Sequence, residues 1–141
     1  MTPLHTRCPE LARTETRGFV IAAGGPVPAG TYGIIEWFCE DPGCDCRRAF
    51  LQIISEREPA KILASLNYGW ETRAFYRRLL PFDPQAPKEI TDGSLDPINP
   101  QSPFAPALHR VFQNVVATPD YQARLQRHYQ TFKATLVPEP R

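Results

Sequence analysis

The sequence predicts an α+β domain, a small antiparallel β-meander with C-terminal helices packed on one face. Three observations carry that reading. Runs rich in β-branched and aromatic residues, with apolar side chains alternating in steps of two, occupy the first half of the chain. Segments with apolar residues at helical spacing, opened by Ser or Thr start signals, fill the second half. The connections between the candidate strands are short, and strands followed by helices point to a layered α+β arrangement. The 141 residues suit a single domain, 1–141. A chain of that size buries about 70% of its unfolded surface without needing staples.

Residues 1–17 are polar and are expected to form a loosely ordered N-terminal segment, with Cys8 as the exception. "GFVIAAGG" (18–25) reads as a short strand ending in glycine. "TYGIIEWFC" (31–39) is a stronger one. In "RRAFLQIIS" (47–55), Ala49, Leu51 and Ile53 share one face, and Phe50 and Ile54 share the other with Gln52. "KILASLNYG" (61–69) points Ile62, Ala64, Leu66 and Tyr68 inward. The last three make the meander. Thr72 then caps a helix, "RAFYRRLL", which Pro81 stops. Proline is dense, at 16 residues, and it breaks helices and central strands. Residues 81–103 are therefore predicted to be a Pro-rich ordered loop packed over the domain, since Phe82, Ile90, Leu95 and Ile98 give it apolar anchors. The C-terminal helices take 104–136. Ser102-Pro103 opens the first, with Phe104, Leu108, Val111, Phe112 and Val115 at helical spacing. Thr118-Pro119-Asp120 opens the second, whose face is Tyr121, Leu125, His128, Tyr129, Phe132 and Leu136.

A formal net charge of +1 argues against non-specific attraction to nucleic acid or to an anionic membrane surface. No apolar run approaches the ~20 residues of a membrane span. The first 17 residues have no apolar core of a secretory signal, so the expected location is the cytoplasm, where thiols stay reduced. The expected partner is a protein, unidentified by the sequence, and nucleic acid is unlikely.

The chemistry concentrates in "FCEDPGCDCRRAF" (38–50). Three of the four cysteines, Cys39, Cys44 and Cys46, fall here. Cys39 ends one strand, Cys44 and Cys46 precede the next, and Glu40-Asp41-Pro42-Gly43 is turn chemistry between them. A hairpin brings three thiols to one tip, and zinc favours four tetrahedral ligands, often thiolates. The expected cofactor is one structural zinc per chain. Arg47 and Arg48 are placed to offset thiolate charge. Cys8 is the expected fourth ligand, completing a Cys8, Cys39, Cys44, Cys46 set; His5, His109, His128 or water are the alternatives. A filled fourth position makes the metal structural and the protein a binding or interaction module. An open one would suit a zinc hydrolase or thiol enzyme using His5, His109, Glu36 or Glu40 as a base. No catalytic residue is assigned.

"YGIIEWFCEDPGCDCRR" and "LNYGWETRAFYRRL", with "LDPINPQSPFAPALHRVF" and "YQARLQRHYQTF", resemble blocks of a family of uncharacterised bacterial proteins, over residues 30–134. The resemblance implies a bacterial, cytosolic origin. Cys44-Asp45-Cys46 is also similar to the first half of the SEC-C metal-binding motif, a zinc module appended to protein-handling factors. Residues 54–60 lack that motif's second pair, so what carries over is a compact thiolate zinc site.

Two further surfaces stand out. Arg73, Arg77 and Arg78, with Arg47 and Arg48, could form a basic patch for phosphate or nucleic acid, but a solvated helix face explains them more simply. In "LDPINPQSPF", Asp96, Asn99, Gln101 and Ser102 are polar groups held by prolines, a way to present rigid hydrogen-bonding groups.

Overall fold

The computed structural model describes residues 1–136. Its centre is a six-stranded antiparallel sheet: β1 (Thr2–Pro3), β2 (Gly18–Ile21), β3 (Gly30–Phe38), β4 (Arg48–Ser55), β5 (Ala64–Gly69) and β6 (Ser94–Leu95). The meander β3–β4–β5 is as the patterning predicts and β6 extends it, while β1 and β2 both pair with β3, at its end and its start. Register follows burial. Ile34 faces Ile53, and Leu51 faces Leu66, so all four sit on the covered face and none reaches solvent.

The helices are α1 (Leu4–Arg7), α2 (Pro9–Glu15), α3 (Arg73–Leu79), α4 (Ala86–Asp92), α5 (Ala105–Val111) and α6 (Pro119–Ala134), with a π-turn at Phe112–Val116. Thr72 and Thr118 cap α3 and α6, accepting from the Phe75 and Tyr121 amides at 3.2 and 3.3 Å. Ser102 accepts from the Phe104 amide at 3.1 Å, and α5 begins just after it. Helices α5 and α6 cover one face of the sheet, where Tyr68 meets Phe112 edge-on and Phe38 packs on Tyr129 and Phe132. The π-turn inserts an extra residue into the helical repeat, so Val116 is buried and Val115, expected on the apolar stripe, is exposed.

Two segments are more regular than their composition predicts. Residues 1–17, expected to be loose, hold β1, α1 and α2. Thr2 and Pro3 pair with Phe38 and Trp37, Leu4 is buried, and Pro9 occupies the first turn of α2, where its missing N–H costs nothing. The Pro-rich stretch 81–103 holds α4 and β6 rather than loop alone. Pro87 sits in the first turn of α4, Asp83 accepts from the Gln85 and Ala86 amides, and Ile90 is buried. Polarity counted against the helices of 1–17 and proline against α4, yet a proline in the first turn is compatible with a helix.

The second face of the sheet is only partly covered. At one end α3 and α4 close over Gly69, where an added Cβ would lie 2.2 Å from the Tyr76 hydroxyl and 2.6 Å from Ile90. At the other, the chain after β6 returns over Ser65. Ser65 gives its amide to Gln101 and its hydroxyl to the Pro100 carbonyl, both at 2.9 Å. Between these lids lie Trp37, Phe50 and Asn67, half-buried. No helix among the described residues is long and apolar enough to cross a membrane.

Candidate metal centre

The β3–β4 connection, 39–47, carries the three clustered cysteines. Asp41 shapes its turn: its side chain accepts from the Gly43 amide at 2.9 Å, and its carbonyl from the Cys44 amide at 3.1 Å. Arg47 ends the turn with a left-handed backbone, φ 48°. For a residue with a Cβ that conformation costs about 1–2 kcal/mol, and the surroundings hold it. The Tyr76 hydroxyl donates to the Arg47 carbonyl at 2.6 Å. The guanidinium reaches Asp45 at 2.9 Å and Glu71 at 3.4 Å, and lies 4.7 Å from the centre of the Phe75 ring. Asp45 is held in turn by the Tyr129 hydroxyl at 2.9 Å. The Arg47 guanidinium keeps the Asp45 carboxyl below its usual range.

With the loop fixed on both sides of Cys46, the sulfurs of Cys39, Cys44 and Cys46 lie within 4.8 Å of one another. Cys46 is buried, and Cys39 and Cys44 are half-buried. Zinc–sulfur bonds of ~2.3 Å place tetrahedral sulfurs about 3.8 Å apart, so the three sulfurs need only a small contraction to ligate one ion. Burial, followed by the neighbouring Cys46 and Cys39, pushes the Cys44 thiol up to about 11. A bound cation removes that mutual repulsion and takes the thiols as thiolates.

The fourth expected ligand is elsewhere. Among the described residues no other Cys, His, Asp or Glu joins the group. Cys8 links α1 to α2 and is buried in the hydrophobic core with Leu4 and Phe38. Its thiol is raised by burial, with Arg7 acting against it and no other cysteine contributing. His5 lines a separate cavity beside α2. His109 bonds the Gly93 carbonyl at 2.7 Å. Glu40 accepts from Thr2. Arg47 faces carboxylates rather than sulfur, and the Arg48 Nε is buried with no partner among the described residues. Of the arginines considered for a basic patch, Arg47 and Arg73 are both paired with acids.

His128 and Glu36 stand together in a second polar cluster that sequence spacing did not reveal. His128 is 0% and Glu36 4% exposed. His128 Nδ1 lies 2.6 Å from Glu36, and its Nε2 3.3 Å from Glu15. The Tyr121 hydroxyl donates to the other Glu36 oxygen at 3.1 Å, and Arg127 pairs with Glu15. Burial, reinforced by the charge of Glu36, holds the Tyr121 phenol well above its usual value. Glu36 is separated from His128 by 92 residues, so only the inward-facing positions of both, polar residues in apolar stripes, signalled the contact.

No protein-family model matches this chain, and no curated protein or solved structure shows significant similarity to it.

Proposed function

We propose that the protein is a small zinc-binding module in which Cys39, Cys44 and Cys46 hold one structural zinc ion and the chain presents a surface to a protein partner in the cytoplasm. The observation that carries this is the convergence of three sulfurs within 4.8 Å in a loop braced from both sides. Zinc suits the donor set, since thiolates favour it. It would lock the β3–β4 connection, and its binding free energy would add to folding. The fourth position falls to water or to a donor from the partner. The resemblance of the cysteine block to a bacterial family is in keeping with this reading.

Elemental analysis of purified protein tests it. One zinc per chain, lost in Cys46→Ser and retained in Cys8→Ser, is the expected result. A chain free of metal when prepared reduced and without chelator overturns it.

A second reading rests on one observation, that only three protein ligands gather. Three ligands with an open position are the usual arrangement of catalytic zinc. A cobalt-substituted protein whose visible spectrum shifts on adding imidazole, and which hydrolyses activated esters at a rate that Cys46→Ser abolishes, would favour a hydrolase. An unresponsive spectrum and no turnover favour the structural site.

A further inference from the structure

The half-covered face of the sheet holds a cup of about 410 Å³ whose lining includes none of the three clustered cysteines. Its floor is Trp37 and Phe50, cross-strand neighbours whose rings meet edge-on with centroids 6.1 Å apart. The Trp37 indole nitrogen is shielded and has no partner among the described residues, so what the ring offers a ligand is carbon surface.

The polar lining is made of side-chain amides and one carboxylate. Each amide is anchored through its nitrogen: Gln52 to the Ser65 hydroxyl at 3.4 Å, Asn67 to Asp96 at 2.8 Å, and Asn99 to Asp96 at 2.9 Å. Among the described residues none of their three carbonyl oxygens receives a hydrogen bond. Asp96 is fixed by the same web. One of its oxygens accepts from the Ile98 and Asn99 amides, each at 2.9 Å, and the other accepts only from Asn67. Burial alone would raise the Asp96 carboxyl, but these hydrogen bonds outweigh it and hold it below its usual value. Among the described residues Asp96 is the only charged side chain lining the cup, whose lining also includes Met1. Among the described residues it has no ion-pair partner, the chain's own α-amino group included.

Aromatic faces, free carbonyl oxygens and an ionised, unpaired carboxylate together select for a donor-rich cation and against anions. We propose that this cup binds a small organic cation, an ammonium or guanidinium group on an aliphatic stem, seated against Trp37 and Phe50 with its N–H groups on Asp96 and the amide oxygens of Gln52, Asn67 and Asn99. The turn 96–101 serves as the rigid wall of the site. None of these observations involves the cysteines, so the proposal stands independently of the zinc reading.

Titration calorimetry of the full chain with agmatine and with putrescine tests it, with glucose and succinate as neutral and anionic controls and tryptophan fluorescence as a second readout. Saturable binding of at least one cation, absent for both controls and weakened about tenfold or more in Asp96→Asn, is the expected result; a charge-assisted hydrogen bond is worth about that much. The asparagine keeps an acceptor for the Ile98 and Asn99 amides, and near-UV circular dichroism checks the fold. Gln52→Leu, which removes an amide oxygen without touching the turn, should weaken binding several-fold and covers the case in which Asp96→Asn fails to fold. No saturable binding of either cation, equal binding of glucose or succinate, or cation binding unchanged in both variants overturns the proposal.

Discussion

Strand β3 serves two polar clusters of opposite character. At Glu36 its inward side chain meets His128, Tyr121 and, through the imidazole, Glu15. Three residues later Cys39 opens the loop whose three sulfurs lie within 4.8 Å of one another. The first cluster is closed: every donor has an acceptor within the chain. The second is a set of like groups in which burial, with Cys46 and Cys39 alongside, raises the proton affinity of Cys44. A buried polar group matched by its neighbours holds elements together. A set of like ligand atoms this close together suits an outside ion. The first cluster is self-contained, and the second is close-set enough to hold a metal ion.

Breaking the closed cluster should have the largest effect. His128→Ala leaves the Glu36 carboxylate buried against only Tyr121, and breaking a buried pair costs about 3–5 kcal/mol. Urea denaturation should show it. Glu36→Gln combined with His128→Leu should cost less than His128→Ala alone, because no unpaired charge remains; a double variant as unstable as the single one would contradict the role assigned to Glu36. The open cluster should behave differently. Cys46→Ser should lower stability by about 3 kcal/mol when free zinc is a hundredfold above its dissociation constant, and by about 1 kcal/mol or less in chelator. A melting-temperature difference between Cys46→Ser and wild type that ignores zinc would remove the distinction between the two regions. Cys8→Ser should cost about 1–2 kcal/mol in either condition, as a hydroxyl placed in an apolar core.

The smallest effect concerns pH. Glu15 is held below its usual range chiefly by the hydrogen bond from Arg127, and Asp45 by Arg47. A depressed carboxyl gives stability that is complete above its unfolded value, about 4, and is lost as pH falls through the lower folded value. Melting temperature should therefore fall below about pH 4, and the fall should be shallower in Arg127→Gln.

The meander, the Thr72 and Thr118 caps and the convergence of Cys39, Cys44 and Cys46 were legible because each depends on residues near in sequence. A two-residue period, a cap three positions from its amide and a turn between strand ends are local geometry. The rest depends on long-range pairing. Residue type alone makes Cys8 a candidate ligand, but Leu4 and the pairing of Thr2 and Pro3 with β3 accompany its place in the core. The order in 1–17 was hidden for the same reason, since short polar helices with a single buried residue, Leu4 in α1, and none in α2 look like coil until the sheet edge is supplied. The partnership of Glu36 and His128 required knowing which face of α6 lies over which strand.

Gly69 has a consequence for how this sequence can drift. Its missing side chain admits the Tyr76 hydroxyl, which in turn holds the carbonyl of left-handed Arg47 beside Cys46. A methyl at 69 would displace Tyr76 and free the backbone that aims Cys46. The three positions are thus mechanically linked, Gly69 making room for the Tyr76 hydroxyl that holds Arg47. A chain that keeps the cysteines but places a larger residue at 69 would need a different brace for its loop. The spacing from Gly69 to Tyr76, more than the cysteines alone, is the pattern by which a distant relative with the same centre could be told from a chance cluster of thiols.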